Sequence, residues 1–244
     1  MKRRALNSIR QTFNRLRPER VNSSRVYLER FVHAAAASVP DGSLVLDAGA
    51  GNCQYRTLFA GKHYQSTDLC QTDMSYGKLT YVCNLVSIPM KNNVYDLILF
   101  TQTLEHVTDP LTVLAGLYRV LTPGGELWLS APLFYEEHEA PYDFFRYTRF
   151  GLAHLLSECG FQIVSLEPLE GYYGTLSYQL DTASRALPLC YSPSGYTLRK
   201  WVWGPLFLLL KPLFYLLALF FGRLDLNWKI NAGLCKNYTV VAEK

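Results

Sequence analysis

The sequence predicts an α/β fold with a doubly wound, mostly parallel sheet, on three observations. The apolar run Leu44-Val45-Leu46 feeds an acid and a glycine-rich turn, Asp47-Ala48-Gly49-Ala50-Gly51. A second β-type run, His63-Tyr64-Gln65-Ser66-Thr67, ends on another acid, Asp68. Beyond it, short apolar runs alternate with segments of helical spacing, the pattern of strands joined by crossover helices.

Taken in order, residues 1–30 are basic, with Leu6, Ile9, Phe13 and Leu16 at helical spacing. Three readings stay open for this leader: a basic amphipathic helix on an anionic membrane surface, a mitochondrial transit peptide, or a solvated helix packing on the domain. Val26 to Ala37 continues as a helix, and Pro40-Asp41-Gly42 turns the chain into the first strand at Leu44. After the glycine turn, a helix is expected through Arg56-Thr57-Leu58-Phe59. The second strand is 63–67, and a short third one spans Leu79 to Leu85.

Val94 to Phe100 is an apolar run suited to the centre of a parallel sheet. Asp109-Pro110 starts a helix, with Asp as cap and Pro in the first turn. Leu111, Leu114, Leu117, Tyr118 and Leu121 carry its period, and Pro123-Gly124-Gly125 is expected to end it. Glu126 to Ala131 is the fifth strand; Thr148 caps a helix to Glu158, and Gly160 ends it. Phe161 to Leu166 is the sixth strand and Tyr238 to Glu243 the seventh.

Composition bounds the class. The chain has 244 residues, 49% of them hydrophobic, which supplies one domain with additions. Its net charge of +4 comes from the first thirty residues, where nine Lys or Arg face Glu19 and Glu29. A nucleic-acid substrate is therefore not expected, since the basic charge is confined to the leader and no base-flipping motif is present. The six cysteines show no CxxC and no metal-ligand spacing, so no metal is expected and the thiols read as reduced, in a cytoplasmic setting.

The chemistry starts at the turn. Glycines let the backbone pass close to a ligand, and amides at a helix start face an anion. Asp68, 21 positions past Asp47, ends the second strand where a carboxylate takes both hydroxyls of a ribose. Together the two acids point to an adenosine-containing ligand.

From Leu44 to about Glu167 the chain resembles a class I S-adenosylmethionine-dependent methyltransferase of the small-molecule, type 11-like branch. Asp47-Ala-Gly-Ala-Gly51 looks like that family's first motif and Asp68 like its ribose-binding acid. Cys83-Asn84-Leu85 looks like the adenine-contacting loop, and Tyr95 through Val107 like the fourth-strand motif. Leu121-Thr-Pro-Gly-Gly125 through Ser130 looks like the exit into strand five. There are two departures: Cys53 stands where the family often has a third glycine, and Asn84 where it often has Asp. The resemblance implies a Rossmann-like methyltransferase fold of seven strands with an antiparallel last strand. It implies S-adenosyl-L-methionine as cofactor, held by Asp47, Gly49, Ala50, Gly51, Asp68, Leu69, Asn84, Leu85, Gln102 and Thr103. Met90 is expected to join Asn84 and Leu85 around the adenine.

Acceptor activation calls for a base, and His106 and His138 lie in the loops after strands four and five. Glu105, Tyr142 and Arg146 are the candidate substrate-binding residues, with Arg146 suited to a carboxylate or phosphate unless it pairs with Asp143 or Glu139.

The family joins strands six and seven by a short hairpin, whereas here a long apolar stretch intervenes, with Trp201 to Phe221 at its centre. It reaches the length of about 20 residues that spans a bilayer. A final strand returning to the same sheet excludes a single crossing. The segment is therefore expected to be a hairpin broken near Lys211-Pro212, an interfacial helix pair or a buried lid. Membrane contact, a substrate tunnel and a homodimer interface all remain open for it.

The expected organisation is a basic helical region (1–40), a donor-binding core (41–170), an apolar helical insertion (171–235) and a final core strand (236–244). The expected function is transfer of a methyl group to a small or lipid-linked acceptor, at oxygen, on the cytoplasmic face of a membrane. The alternatives are a non-catalytic SAM-binding partner protein on a membrane, and a nicotinamide-dependent oxidoreductase, which the missing third glycine and Leu104-Glu105-His106 disfavour.

Overall fold

The computed structural model describes residues 23–72, 75–187 and 197–244, with no side-chain detail at 197–205. The leader before Ser23 and Cys190 lie outside the described residues. Helix α1 is Ser23–Ser38. The strands are β1 Leu44–Ala48, β2 His63–Asp68, β3 Tyr81–Val82, β4 Tyr95–Thr101, β5 Leu121–Pro132, β6 Gln162–Pro168 and β7 Asn237–Glu243. Helices α2 Pro110–Val120 and α3 Arg149–Glu158 connect them, and α4 Tyr172–Ala186 and α5 Thr197–Asn227 lie between β6 and β7. By contacts the chain divides into two units. One holds Tyr27–Leu169 and Cys235–Lys244; the other holds Glu170–Leu234 with the described residues before Tyr27.

The first unit is a seven-stranded sheet in the order β3-β2-β1-β4-β5-β7-β6. β1 pairs in parallel with β2 and with β4, so the strand order reverses beside β1. β7 runs antiparallel between β5 and β6, as the resemblance implies. Alternation along β4 builds two cores. Ile98 and Phe100 face Val113, Leu114 and Leu117 of α2 and Leu152 and Leu156 of α3. Leu97 and Leu99 face Val32, Ala35 and Ala36 of α1. A period-2 strand buried on both faces must be apolar on both, which is why 97–100 reads as a continuous apolar run.

Two caps form as the sequence expects: Asp109 accepts from the Thr112 amide (3.1 Å), and Thr148 from the Gly151 amide (3.1 Å). Three elements differ. The expected helix at 56–59 is a single 3₁₀ turn, because Gly61 at φ +87° redirects the chain towards β2 one residue after the Ala60 cap. The third strand pairs only at Tyr81–Val82, since the Asn84 side chain accepts from the Val86 amide and winds Leu85–Ser87 into another 3₁₀ turn. Helix α2 stops at Val120, ahead of Pro123, because Leu121 already pairs with Tyr95 in the sheet.

In the second unit, α4 and α5 pack side by side. Ser177 Oγ donates to the Ala218 carbonyl (2.7 Å), and Tyr173 stacks on Phe221 at 5.6 Å. Gly171 approaches Asp225 while Leu187 meets Lys211, so the pair is antiparallel. The expected break at Lys211-Pro212 does not occur: α5 is one continuous helix. Proline removes one backbone hydrogen bond, and here the packing along α4 carries the helix through. Leu206–Asn227 is long and apolar enough to cross a membrane by length and composition.

Candidate functional site

At the carboxyl ends of β1, β2 and β4 the first unit encloses a cavity of about 460 Å³, within the range of small-molecule sites. A crevice where strand order reverses is where open α/β sheets bind ligands. A second depression, of about 540 Å³, lies at the amino ends of the strands. Its two half-buried acids are already taken, Asp96 by the Leu44 amide (2.8 Å) and Glu126 by the Ser38 hydroxyl (2.6 Å) and the Trp128 indole (2.8 Å), so the chemistry belongs to the first cavity.

Of the expected donor-binding residues, Asp47, Gly49, Ala50, Gly51, Asp68, Leu69, Asn84, Leu85, Gln102 and Thr103 all line this cavity. Met90 does not; it packs against the core, and its carbonyl accepts from Arg119 at 2.6 Å. The glycine turn is tight for a steric reason. Gly49 has φ +75°, and a Cβ there would lie 2.3 Å from the Thr103 side chain. The turn's amides, however, are mostly occupied internally. Gly49 and Ala50 donate to the Thr67 carbonyl (2.8 and 3.0 Å), Gly51 to Asp68 Oδ2 (3.0 Å), and Cys53 to the Ala50 carbonyl (2.8 Å). The expectation that these amides face an anion is corrected at those four positions. Cys53, where a third glycine was expected, takes φ +57°.

Asp68 also accepts from the Cys70 amide at 3.0 Å. Two of the roughly four acceptor sites of a carboxylate are thus used, and the rest remain for hydroxyls. Asp47 is 2% exposed and accepts from the Tyr64 hydroxyl. Burial pushes its carboxyl up to about 7, against the opposing Tyr64 hydrogen bond. Tyr64 carries no motif, and its place in the second strand was the one available signal.

Acceptor-side residues divide. His106 and Tyr142 line the cavity, together with Glu139 and Phe144, which the sequence reading did not select. The His106 Nδ1 lies 2.6 Å from the Tyr142 carbonyl oxygen, which only accepts, so Nδ1 carries a proton, and Nε2 points to the carboxylates of Glu105 and Glu139, 3.9 Å from each. His138 does not line the cavity; its ring stands edge-on to His106 with centroids 4.7 Å apart. Asp143 orients it, with Oδ2 3.3 Å from Nδ1.

Arg146 is corrected as a substrate ligand. Its guanidinium grips both oxygens of Asp143 (2.6 and 2.7 Å) and donates to the carbonyls of Tyr135 and Glu136. That pairing holds the Asp143 carboxyl well below its usual range. Glu105 is also corrected: it is absent from the cavity wall and 0% exposed. Neither of its carboxylate oxygens has a hydrogen-bond partner among the described residues, though Oε1 lies 3.9 Å from His106 Nε2, and burial pushes the group up to about 8. The residue's backbone carbonyl instead pins the next loop, accepting from the amides of Phe144 and Phe145.

Comparison with known proteins bears on the same stretch. A family model described as a methyltransferase domain, of type 11, matches residues 46–129. The ubiquinone/menaquinone biosynthesis C-methyltransferase UbiE of Psychromonas ingrahamii is 41% identical over 75 residues, covering 29% of this chain and 30% of that protein. The solved structure of the [4+2]-cyclase SpnF superposes with a TM-score of 0.55 at 16% identity, over 88% of this chain and 81% of that one. Phosphoethanolamine N-methyltransferase 2 of Haemonchus contortus, solved with S-adenosyl-L-methionine, gives 0.51 at 15% identity, over 91% and 52%. At those identities the two structures speak for the fold.

Proposed function

We propose that this chain, whose residues 46–129 match a methyltransferase domain of type 11, is a class I S-adenosylmethionine-dependent methyltransferase acting on a small or lipid-linked acceptor at a membrane surface. The observation that carries the proposal is Asp68: a carboxylate at the carboxyl end of β2, one strand from the reversal at β1, fixed by two amides and with acceptor capacity left over for a ribose. Bound S-adenosylmethionine supplies an electrophilic methyl group on a sulfonium centre. The chain's own residues bind, orient and exclude water. Asp68 takes the ribose hydroxyls. Asp47, when ionised, offers the negative charge for an ammonium group. Leu85 and Val86 give the apolar wall for the adenine, and Gln102 and Thr103 close the end of the cavity nearest His106.

The acceptor is an oxygen nucleophile in this reading, because an imidazole on the cavity wall, with its Nδ1 proton held by the Tyr142 carbonyl, suits removal of a hydroxyl proton through Nε2. Carbon methylation, as in the name of the UbiE relative, is the competing outcome.

Membrane contact is supported by a stripe on α5. Leu206, Leu209, Leu213, Leu216 and Phe220 recur at alternating three- and four-residue steps, and all are exposed, Leu209 at 70%. An apolar stripe of this kind lies in a lipid interface or meets a second copy of the chain. The basic leader adds attraction to anionic lipid.

The test uses isotope-labelled S-adenosylmethionine, the purified protein and a membrane extract, with products partitioned between organic solvent and water. Label in the organic phase, lost in Asp68→Ala, supports the whole reading. Label confined to water keeps the transferase and removes the lipid-linked acceptor. Donor binding without label in either phase favours a non-catalytic SAM-binding partner protein.

A further inference from the structure

Beside the donor cavity stand two histidines and a buried acid, of which the proposed methyl transfer uses only His106. We propose that Glu105, His106 and His138 bind a divalent transition-metal ion of the zinc class. One ligand atom from each lies within 4.8 Å of the others. Tetrahedral ligands held about 2.0–2.1 Å from zinc sit roughly 3.4 Å apart, so closure by up to about 1.4 Å completes the site. His106 Nε2 is already 3.9 Å from Glu105 Oε1 and 3.9 Å from Glu139 Oε2.

Three independent features aim these atoms at one point. The Tyr142 carbonyl fixes the proton of His106 on Nδ1 and leaves Nε2 as the ligand. His138 Nδ1 faces two acceptors, the Glu136 carbonyl (3.2 Å) and Asp143 Oδ2 (3.3 Å), so its Nε2 is likewise the ligating nitrogen. Carboxylate and carbonyl partners behind a ligating imidazole are the usual support of a metal site, and here Asp143 is itself locked by Arg146. Finally, Glu105 is fully buried, and among the described residues neither carboxylate oxygen has a hydrogen-bond partner. A buried carboxylate is costly unless it is paired or coordinates a metal. Two imidazoles with one carboxylate select zinc-class ions over magnesium or calcium, which prefer all-oxygen sets. Glu139, 39% exposed at its side chain, is placed to give the fourth ligand or to leave that position to water.

His106 and Glu139 both line the donor cavity, so the open coordination position faces it. A hydroxyl bound there would lose its proton to bulk water under the ion's charge rather than to His106. The Nε2 lone pair can serve only one of these roles. This consequence rests on the proposed methyl transfer; ion binding does not.

The test reads binding, not turnover. The full chain is stripped with a chelator and titrated with Zn²⁺ against a chromophoric competitor, and separately with Co²⁺ while visible absorption is followed. One Zn²⁺ per chain is expected, weakened on the order of 100-fold or more in His138→Ala and in Glu105→Gln. Circular dichroism and the thermal shift given by S-adenosylhomocysteine establish that each variant is folded with its donor site intact. Equal Zn²⁺ affinity in the wild type and the folded variants overturns the proposal. Should both variants fail to fold, wild-type Co²⁺ spectra decide: intense visible bands support the site, and the weak bands of a hydrated ion overturn it.

Discussion

Lys211 Nζ donates to the Leu187 carbonyl at 2.8 Å, so the lysine in the middle of the apolar helix α5 closes the carboxyl end of α4. Asp225 meets the other end of α4, where the Gly171 amide approaches its Oδ2 at 3.4 Å. The two side chains are 14 positions apart, roughly 21 Å along a helix, which matches the length of the 15-residue α4. An acid at the amino end and a base at the carboxyl end are the charges that a helix dipole favours. Lys211 is therefore a helix-end partner rather than an interruption of the apolar run.

Lys211→Leu should remove that partner and lower the stability of the α4–α5 pair by about 1 kcal/mol. Thermal unfolding checks this, with Lys211→Arg retaining most of the stability. An unchanged melting temperature in Lys211→Leu would mean that the contact contributes nothing.

Gly174→Ala should destabilise the same pair. A Cβ at Gly174 would lie 2.5 Å from Asp225 Oδ2 and 2.7 Å from Ser23 Oγ, below any normal contact. Overpacking of this kind costs about 1–3 kcal/mol. Urea denaturation reads the loss, and Gly174→Ala combined with Asp225→Ala should recover part of it.

Asp68→Ala should weaken S-adenosylhomocysteine at least about tenfold, which corresponds to roughly 1.4 kcal/mol. The variant loses the ribose partner and also the acceptor of the Gly51 and Cys70 amides. Calorimetric titration measures it. Asp68→Asn should lie between the two proteins, since an amide keeps one acceptor oxygen.

The pH dependence follows from Asp47. Its folded value, about 7, stands above the ordinary 3.8 because of burial. A raised acid stabilises the fold fully below its unfolded pKa, and that contribution is lost as pH rises through the folded value. The melting temperature of the donor-free protein should therefore fall between about pH 4 and about pH 7, from the ordinary value to the folded one, and Asp47→Asn should flatten the slope. Tyr64→Phe removes a hydrogen bond that lowers the Asp47 value, so the fall should move to higher pH. Binding of the donor's ammonium should run the other way and strengthen as Asp47 ionises.

Gly49→Ala tests the turn itself. With φ +75° and Thr103 only 2.3 Å from a Cβ, neither backbone nor neighbour has room. Loss of both stability and donor affinity is expected, read by thermal shift with and without S-adenosylhomocysteine.

The sequence by itself determined the sheet and the donor side of the cavity. Strand period, glycine turns and helix caps are local signals, and Leu44–Ala48, Asp68, Asp109 and Thr148 carry them within a few residues of chain. The tertiary structure alone decided which polar groups are already occupied. Arg146 is bound to Asp143, the turn's amides are bound to Thr67 and Asp68, and Glu105 is buried without a hydrogen-bond partner among the described residues; each outcome depends on packing as well as on order. The continuity of α5 past Pro212 was likewise not legible in its own residues, since a proline reads locally as a break. The packing and end contacts of α4, supplied by residues about 25 to 55 positions away, keep the helix whole.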